Sequence, residues 1–173
     1  MKELILGGVR SGKSRLAERQ AQASGLPVTY IATATAQDEE MLARIASHRT
    51  RRPRHWTLVE EPRALAAALA AHAAPRHCVI VECLTLWLSN LLLHEEGRML
   101  VGERNALLAK LPDLPGRILL VGNETGLGVV PAAPLARRFC DEAGRLHQDL
   151  AQLCDRVILT VAGLPHVLKG DPL

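Results

Sequence analysis

The sequence predicts an α/β fold, a three-layer sandwich with a mainly parallel central sheet. Two observations carry this. Short, continuously apolar runs alternate with longer helical patterns, and strands apolar on both faces belong to a parallel sheet buried from both sides. The length of 173 residues, with 48% hydrophobic and 23% charged residues, suits one packed domain over 1–173. That balance excludes a disordered or collagen-like chain. Aromatic residues make up 2% (Tyr30, Trp56, Trp87 and Phe139), too few for a module that binds nucleic acid by stacking bases. A formal net charge of +3 names no polyanionic partner unaided.

Leu4-Ile5-Leu6 opens the chain as a strand, followed by glycine-rich sequence and a helical stretch from Ser14 to Ser24. Val28 to Ala32 is a second strand. Asp38-Glu39-Glu40 supplies the acidic start of a helix whose apolar face is Met41, Leu42 and Ile45. Pro62 opens an Ala-rich helix running to His72, as proline does at a first helical position. Val79-Ile80-Val81 reads as a buried strand, followed by the amphipathic run Leu84 to Leu93. The Pro-rich stretch around Pro112, Pro115 and Gly116 is a loop. Ile118 to Val121 and Val157 to Val161 are further strands, with a helix from Leu135 to Leu153 between them.

Cys78, Cys83, Cys140 and Cys154 show no C-x-x-C spacing, so reduced thiols are expected, with structural zinc as the alternative. The apolar run after Met1 stops at Gly7-Gly8, unlike a secretory signal. The stretch Cys78 to Leu93 is interrupted by Glu82, Ser89 and Asn90, so no transmembrane helix is expected. The expected location is cytoplasmic.

Gly7-Gly8-Val9-Arg10-Ser11-Gly12-Lys13-Ser14 fits G-x-x-x-x-G-K-[ST] at every fixed position, after a strand and before a helix. The fold expectation sharpens to the P-loop NTPase type. Glycines let backbone N–H groups curl around phosphate oxygens, and the helix N-terminus adds a favourable dipole. Lys13 would reach the β- and γ-phosphates, while Ser14 would ligate Mg²⁺. Glu82, closing its strand, would hold the same metal or its waters.

Arg44, Arg49, Arg51, Arg52 and Arg54 crowd one segment around His48. A solvated basic surface, nucleic-acid contact and a triphosphate clamp all fit; beside a phosphate loop the clamp is favoured. Neutral imidazole is a good nucleophile toward phosphorus, and neighbouring guanidinium groups oppose its protonation. A simple kinase would need the loop without His48. A GTP switch or RNA-binding protein is the other alternative, although no N-K-x-D guanine motif is present.

The whole pattern resembles the bifunctional adenosylcobinamide kinase/adenosylcobinamide-phosphate guanylyltransferase family of cobalamin biosynthesis. The blocks that carry the resemblance are the phosphate loop with its Arg10-Ser11, Tyr30 to Ala34, Asp38 to Met41, and Arg44 to Trp56 with His48-Arg49 and Arg52-Pro53. Glu82 to Asn90, Asn123 to Pro131 and Leu135 to Phe139 continue it.

This resemblance implies phosphorylation of adenosylcobinamide by ATP or GTP. Transfer of GMP from GTP to adenosylcobinamide phosphate then follows. It implies His48 as the guanylylated residue, with Lys13 neutralising developing charge. Nucleotide contacts would fall on Gly7 to Ser14, on Thr33-Ala34-Thr35, on Thr50-Arg51-Arg52-Pro53, and on Glu60 and Glu82. Ser14 and Glu82 would serve Mg²⁺, and a homo-oligomer, typically a trimer, is implied. Three positions depart from the family pattern: Glu82 where aspartate is also common, His147 where asparagine is frequent, and Gly122 in place of a usual serine.

Overall fold

Side chains of the first strand alternate between two cores. Leu4 and Leu6 of β1 (Lys2–Gly7) enter one and Ile5 enters the other, the period-two geometry of an extended chain. The computed structural model describes residues 1–35, 39 and 52–173. The first core packs Leu4, Ile31, Val79, Val81 and Leu120 under helices α2 (Leu65–His72), α3 (Leu84–Leu93), α4 (Leu100–Lys110) and α5 (Pro134–Leu153). The second sets Ile5, Tyr30, Ile80 and Leu119 against Leu16, Ala17 and Ala21 of α1 (Lys13–Ala23). Helices thus cover both faces of the sheet, which makes three layers.

The remaining strands are β2 (Val28–Ala32), β3 (Thr57–Glu60), β4 (Cys78–Glu82), β5 (Arg117–Asn123), β6 (Arg156–Val161) and β7 (Leu164–Lys169). Among the described residues they form a seven-stranded sheet in the order β3-β2-β4-β5-β1-β6-β7. Every neighbouring pair is parallel except β6 with β7. The carboxyl ends of β1, β2, β4 and β5 therefore meet along one edge, where open α/β sheets bind ligands.

The predicted α/β class and its strands at β1, β2, β4, β5 and β6 agree with this architecture. The helix expected from Asp38 lies, Glu39 apart, outside the described residues. The Ala-rich helix begins at Leu65, three residues after Pro62. The Glu61 carboxylate accepts the N–H groups of Arg63 and Ala64, while Trp87 Nε1 donates to Arg63 O and Asn90 Nδ2 to Pro62 O. These bonds tie residues 62–64 into a turn pinned to α3. Helix α4 and strands β3 and β7 are additions to the sequence reading.

Candidate nucleotide-binding site

The chain between β1 and α1 curls around its own backbone. Ser11 N–H donates to Gly8 O at 3.2 Å, and Arg10 and Gly12 both take positive φ, 56° and 100°. A Cβ at Gly7 would lie 2.5 Å from Thr160 O, and one at Gly12 would lie 3.1 Å from Gly163 Cα. Glycine is required at both positions, by close approach at the first and also by backbone conformation at the second. No described side chain caps the N-terminus of α1, and its first turn holds no acidic residue. Its leading N–H groups and dipole are therefore available to an anion.

Lys13 is buried, 8% exposed, and its ammonium donates to Gly8 O at 3.1 Å across the mouth of the loop. Ser11 Oγ is buried and has no hydrogen-bond partner among the described residues. An orphaned hydroxyl inside a glycine cradle suits a ligand rich in oxygen acceptors. At the second residue of the helix, Ser14 Oγ donates to Glu82 Oε1 at 2.8 Å. The tip of β4 and the start of α1 thus meet through a pair of hard oxygen donors, the chemistry that Mg²⁺ prefers.

Beside this pair the backbone is held by Thr33 and Asn90. Thr33 Oγ1 donates to Cys83 O at 2.7 Å and accepts Cys83 N–H at 2.8 Å. Thr33 N–H reaches Glu82 O at 3.0 Å, so this fully buried residue clasps the strand end that carries Glu82. Asn90 Nδ2 donates to Thr33 O at 2.7 Å, and Thr35 Oγ1 donates to Asn90 Oδ1. Burial, with Glu82 adding to it, pushes the Cys83 thiol up to about 11, which keeps it inert. The Arg52 guanidinium lies 5.1 Å from the centroid of the Tyr30 ring, within cation–π range. Burial raises the Tyr30 hydroxyl well above its ordinary value, with Glu82 and Glu18 adding to it and Arg52 opposing.

The structure thus brings together Gly7 to Ser14 and Glu82, with Thr33, Ala34 and Thr35 at the end of β2. Glu60 ends β3, four strand steps from β1 in the sheet order, or about 19 Å at about 4.8 Å per step. Arg52 and Pro53 precede β3, whereas His48, Thr50 and Arg51 lie outside the described residues. Asn90 was visible in the sequence only as a break in an apolar run and as part of a block. Its organising role needs the fold, because its partners lie 28 to 57 residues away in sequence. Gly122 and His147, two of the three departures noted in the sequence, are neighbours: a Cβ at Gly122 would lie 3.4 Å from His147 Nε2.

The family model for cobinamide kinase / cobinamide phosphate guanyltransferase matches residues 3–168. The chain belongs to this family. It is 64% identical over 173 residues to the bifunctional adenosylcobalamin biosynthesis protein CobP of Pseudomonas aeruginosa, covering 100% of both chains. It is 40% identical to the bifunctional adenosylcobalamin biosynthesis protein CobU of Escherichia coli, covering 96% of this chain and 98% of that one. Among solved structures, the RadB recombinase superposes with a TM-score of 0.52 at 17% identity, over 91% of this chain and 73% of that one. That last likeness carries the fold alone, and it is the P-loop NTPase type. In this chain the phosphate loop and the Ser14–Glu82 pair lie together at the carboxyl edge of the sheet.

Proposed function

We propose that the chain runs both reactions of the cobinamide kinase/guanyltransferase family from one phosphate loop, with His48 carrying GMP in the second. The kinase reaction moves a γ-phosphate from ATP or GTP to the aminopropanol hydroxyl of adenosylcobinamide. In the transferase reaction the His48 imidazole attacks the α-phosphorus of GTP and expels pyrophosphate. The acceptor phosphate then attacks the histidine-bound phosphorus, giving adenosylcobinamide-GDP and free imidazole. The observation that carries this reading is the hydrogen bond from Ser14 to Glu82 beside the uncapped start of α1 and buried Lys13.

Ser14 Oγ and Glu82 would hold Mg²⁺, which when bound supplies positive charge against the phosphates. Lys13 binds and neutralises the β- and γ-phosphates. Arg52, braced on Tyr30, offers a planar donor to the same anion. With about 19 Å between β1 and β3, Glu60 suits the sugar or base end of a nucleotide rather than its phosphates.

Incubation with α-labelled GTP tests the mechanism. An acid-labile, base-stable adduct is expected, and it should vanish in His48→Ala. An adduct that survives this substitution, or no adduct at all, overturns the guanylyl-histidine step.

A homo-oligomer, a trimer by resemblance, is consistent with the exposed apolar side chains of Leu127, Val129 and Val130. Light scattering giving a monomer mass would refute it. Cytoplasmic location fits the nucleotide substrates, and cell fractionation tests it. Among the described residues no helix is long and apolar enough to cross a membrane.

A further inference from the structure

The two acceptors of this enzyme differ in one proton. The kinase acceptor is a hydroxyl, which must lose its proton as it attacks. The transferase acceptor is a phosphate, whose second pKa of about 6 leaves it ionised at neutrality. A base is therefore needed for one reaction and not for the other, and it must stand beside the end of the phosphate loop.

Described carboxylates at the carboxyl ends of β3, β4 and β5 stand at different distances from that loop. Glu60 ends β3 and Glu61 follows it, about 19 Å from β1 by strand count. Glu82 is engaged by Ser14 Oγ. Glu124 follows β5, the immediate neighbour of β1, with Asn123 in register with Gly7. Its own N–H donates to Gly7 O at 3.0 Å, which fixes it to the first residue of the loop.

The carboxylate itself is held in place. Glu124 Oε1 accepts the N–H of Gly126, and Oε2 lies 3.8 Å from His147 Nδ1. The two side chains are 22% and 11% exposed, so Glu124 keeps an opening to solvent while His147 is nearly closed off. Burial lowers the His147 pKa, and the nearby Glu124 charge opposes this. At 3.8 Å the imidazole stands just beyond hydrogen-bond distance and walls one side of the carboxylate, and a ring kept neutral by burial does not cancel the carboxylate charge. Gly122 is the ring's neighbour on β5, since a Cβ there would touch Nε2 at an ordinary contact distance of 3.4 Å.

We infer that Glu124 is the general base of the kinase reaction and that His147 is its positioning residue. The inference rests on the γ-phosphate occupying the loop after β1. The acceptor O–H proton passes to Glu124 Oε2 as the oxygen bonds to the γ-phosphorus. The bond from that phosphorus to the bridging oxygen breaks, nucleoside diphosphate leaves, and Glu124 returns the proton to water.

The test compares the two reactions in Glu124→Gln. Phosphorylation of adenosylcobinamide should fall about 100-fold or more, whereas GMP transfer to supplied adenosylcobinamide phosphate should change by no more than about threefold. The surviving transfer reports that the variant is folded. His147→Leu should lower kcat of phosphorylation with little change in KM, and His147→Gln should restore part of it. Equal loss in both reactions, or unimpaired phosphorylation, removes Glu124 from the role of base. Either outcome leaves the guanylyl-histidine step untouched, because that step is read separately from the adduct.

Discussion

Burial decides the protonation of His147, and that has a consequence for stability. Its pKa is pushed below the ordinary 6.5, by desolvation first, with the Glu124 charge acting the other way. In the unfolded chain the imidazole takes up its proton near pH 6.5, where the folded chain still resists it. The contribution to stability is therefore complete above pH 6.5 and is lost as the pH falls through the lowered folded value. Urea midpoints at about pH 7.5 and about pH 5.5 check this. His147→Gln should lose less stability than the unmodified chain between the two, and an equal loss would assign the acid sensitivity to other groups. At this scale the sequence showed Gly122 and His147 as two separate departures. Their proximity was hidden because β5 and α5 are brought together by packing, not by spacing.

Among elements, the β6–β7 hairpin shapes the site without contributing a motif to it. Ala162 and Gly163 join the strands with positive φ at both positions, 52° and 81°, as a tight type I′ turn requires. Gly163 N–H then donates to Ser11 O at 2.8 Å, so the turn props the phosphate loop from outside. Gly163→Val puts a β-branched residue in that left-handed conformation and should cost about 1–3 kcal/mol. It should also raise KM for GTP. Unaltered nucleotide affinity in a destabilised variant would show that the prop has no part in binding. The hairpin escaped the sequence reading because β7 is an exposed edge strand containing Pro165, with no apolar alternation. Strand β3 is short and half-exposed, and α4 is weakly amphipathic, with Leu100 and Leu107 as its buried residues. Elements with so little one-sided burial leave a faint periodic trace.

Across the molecule, the end of the sheet opposite the loop is fastened by a charge inside the core. Glu3 is fully buried on β1, yet its Oε1 accepts Arg117 Nη2 at 2.6 Å and Nε at 2.9 Å. Arg117 also donates to Gln20 Oε1, so β1, β5 and α1 share one polar clasp. Glu3→Ala removes half of this pair and should destabilise by about 3 kcal/mol, the lower end for a broken buried pair because Arg117 keeps some solvent contact. Denaturant unfolding measures it. Glu3→Ala with Arg117→Ala should cost less than the sum of the two single changes, since they share one interaction. Additive costs would mean that the pair is not coupled.

What the residues determined unaided was local: five buried strands, the helices α1, α3 and α5 that follow three of them, and a phosphate loop recognisable by glycines and a lysine at fixed intervals. Such features are legible because their physics is short-range, set by side-chain period and by the backbone freedom a tight turn needs. Ser14 and Glu82, expected from the sequence to serve one metal, are hydrogen-bonded across 68 residues, since both positions end or begin elements at one sheet edge. Strand order, the clasp of Thr33 on Cys83, the prop from Gly163 and the seat of Glu124 beside Gly7 came from tertiary structure alone. Each depends on which strands become neighbours, and long-range packing makes that choice.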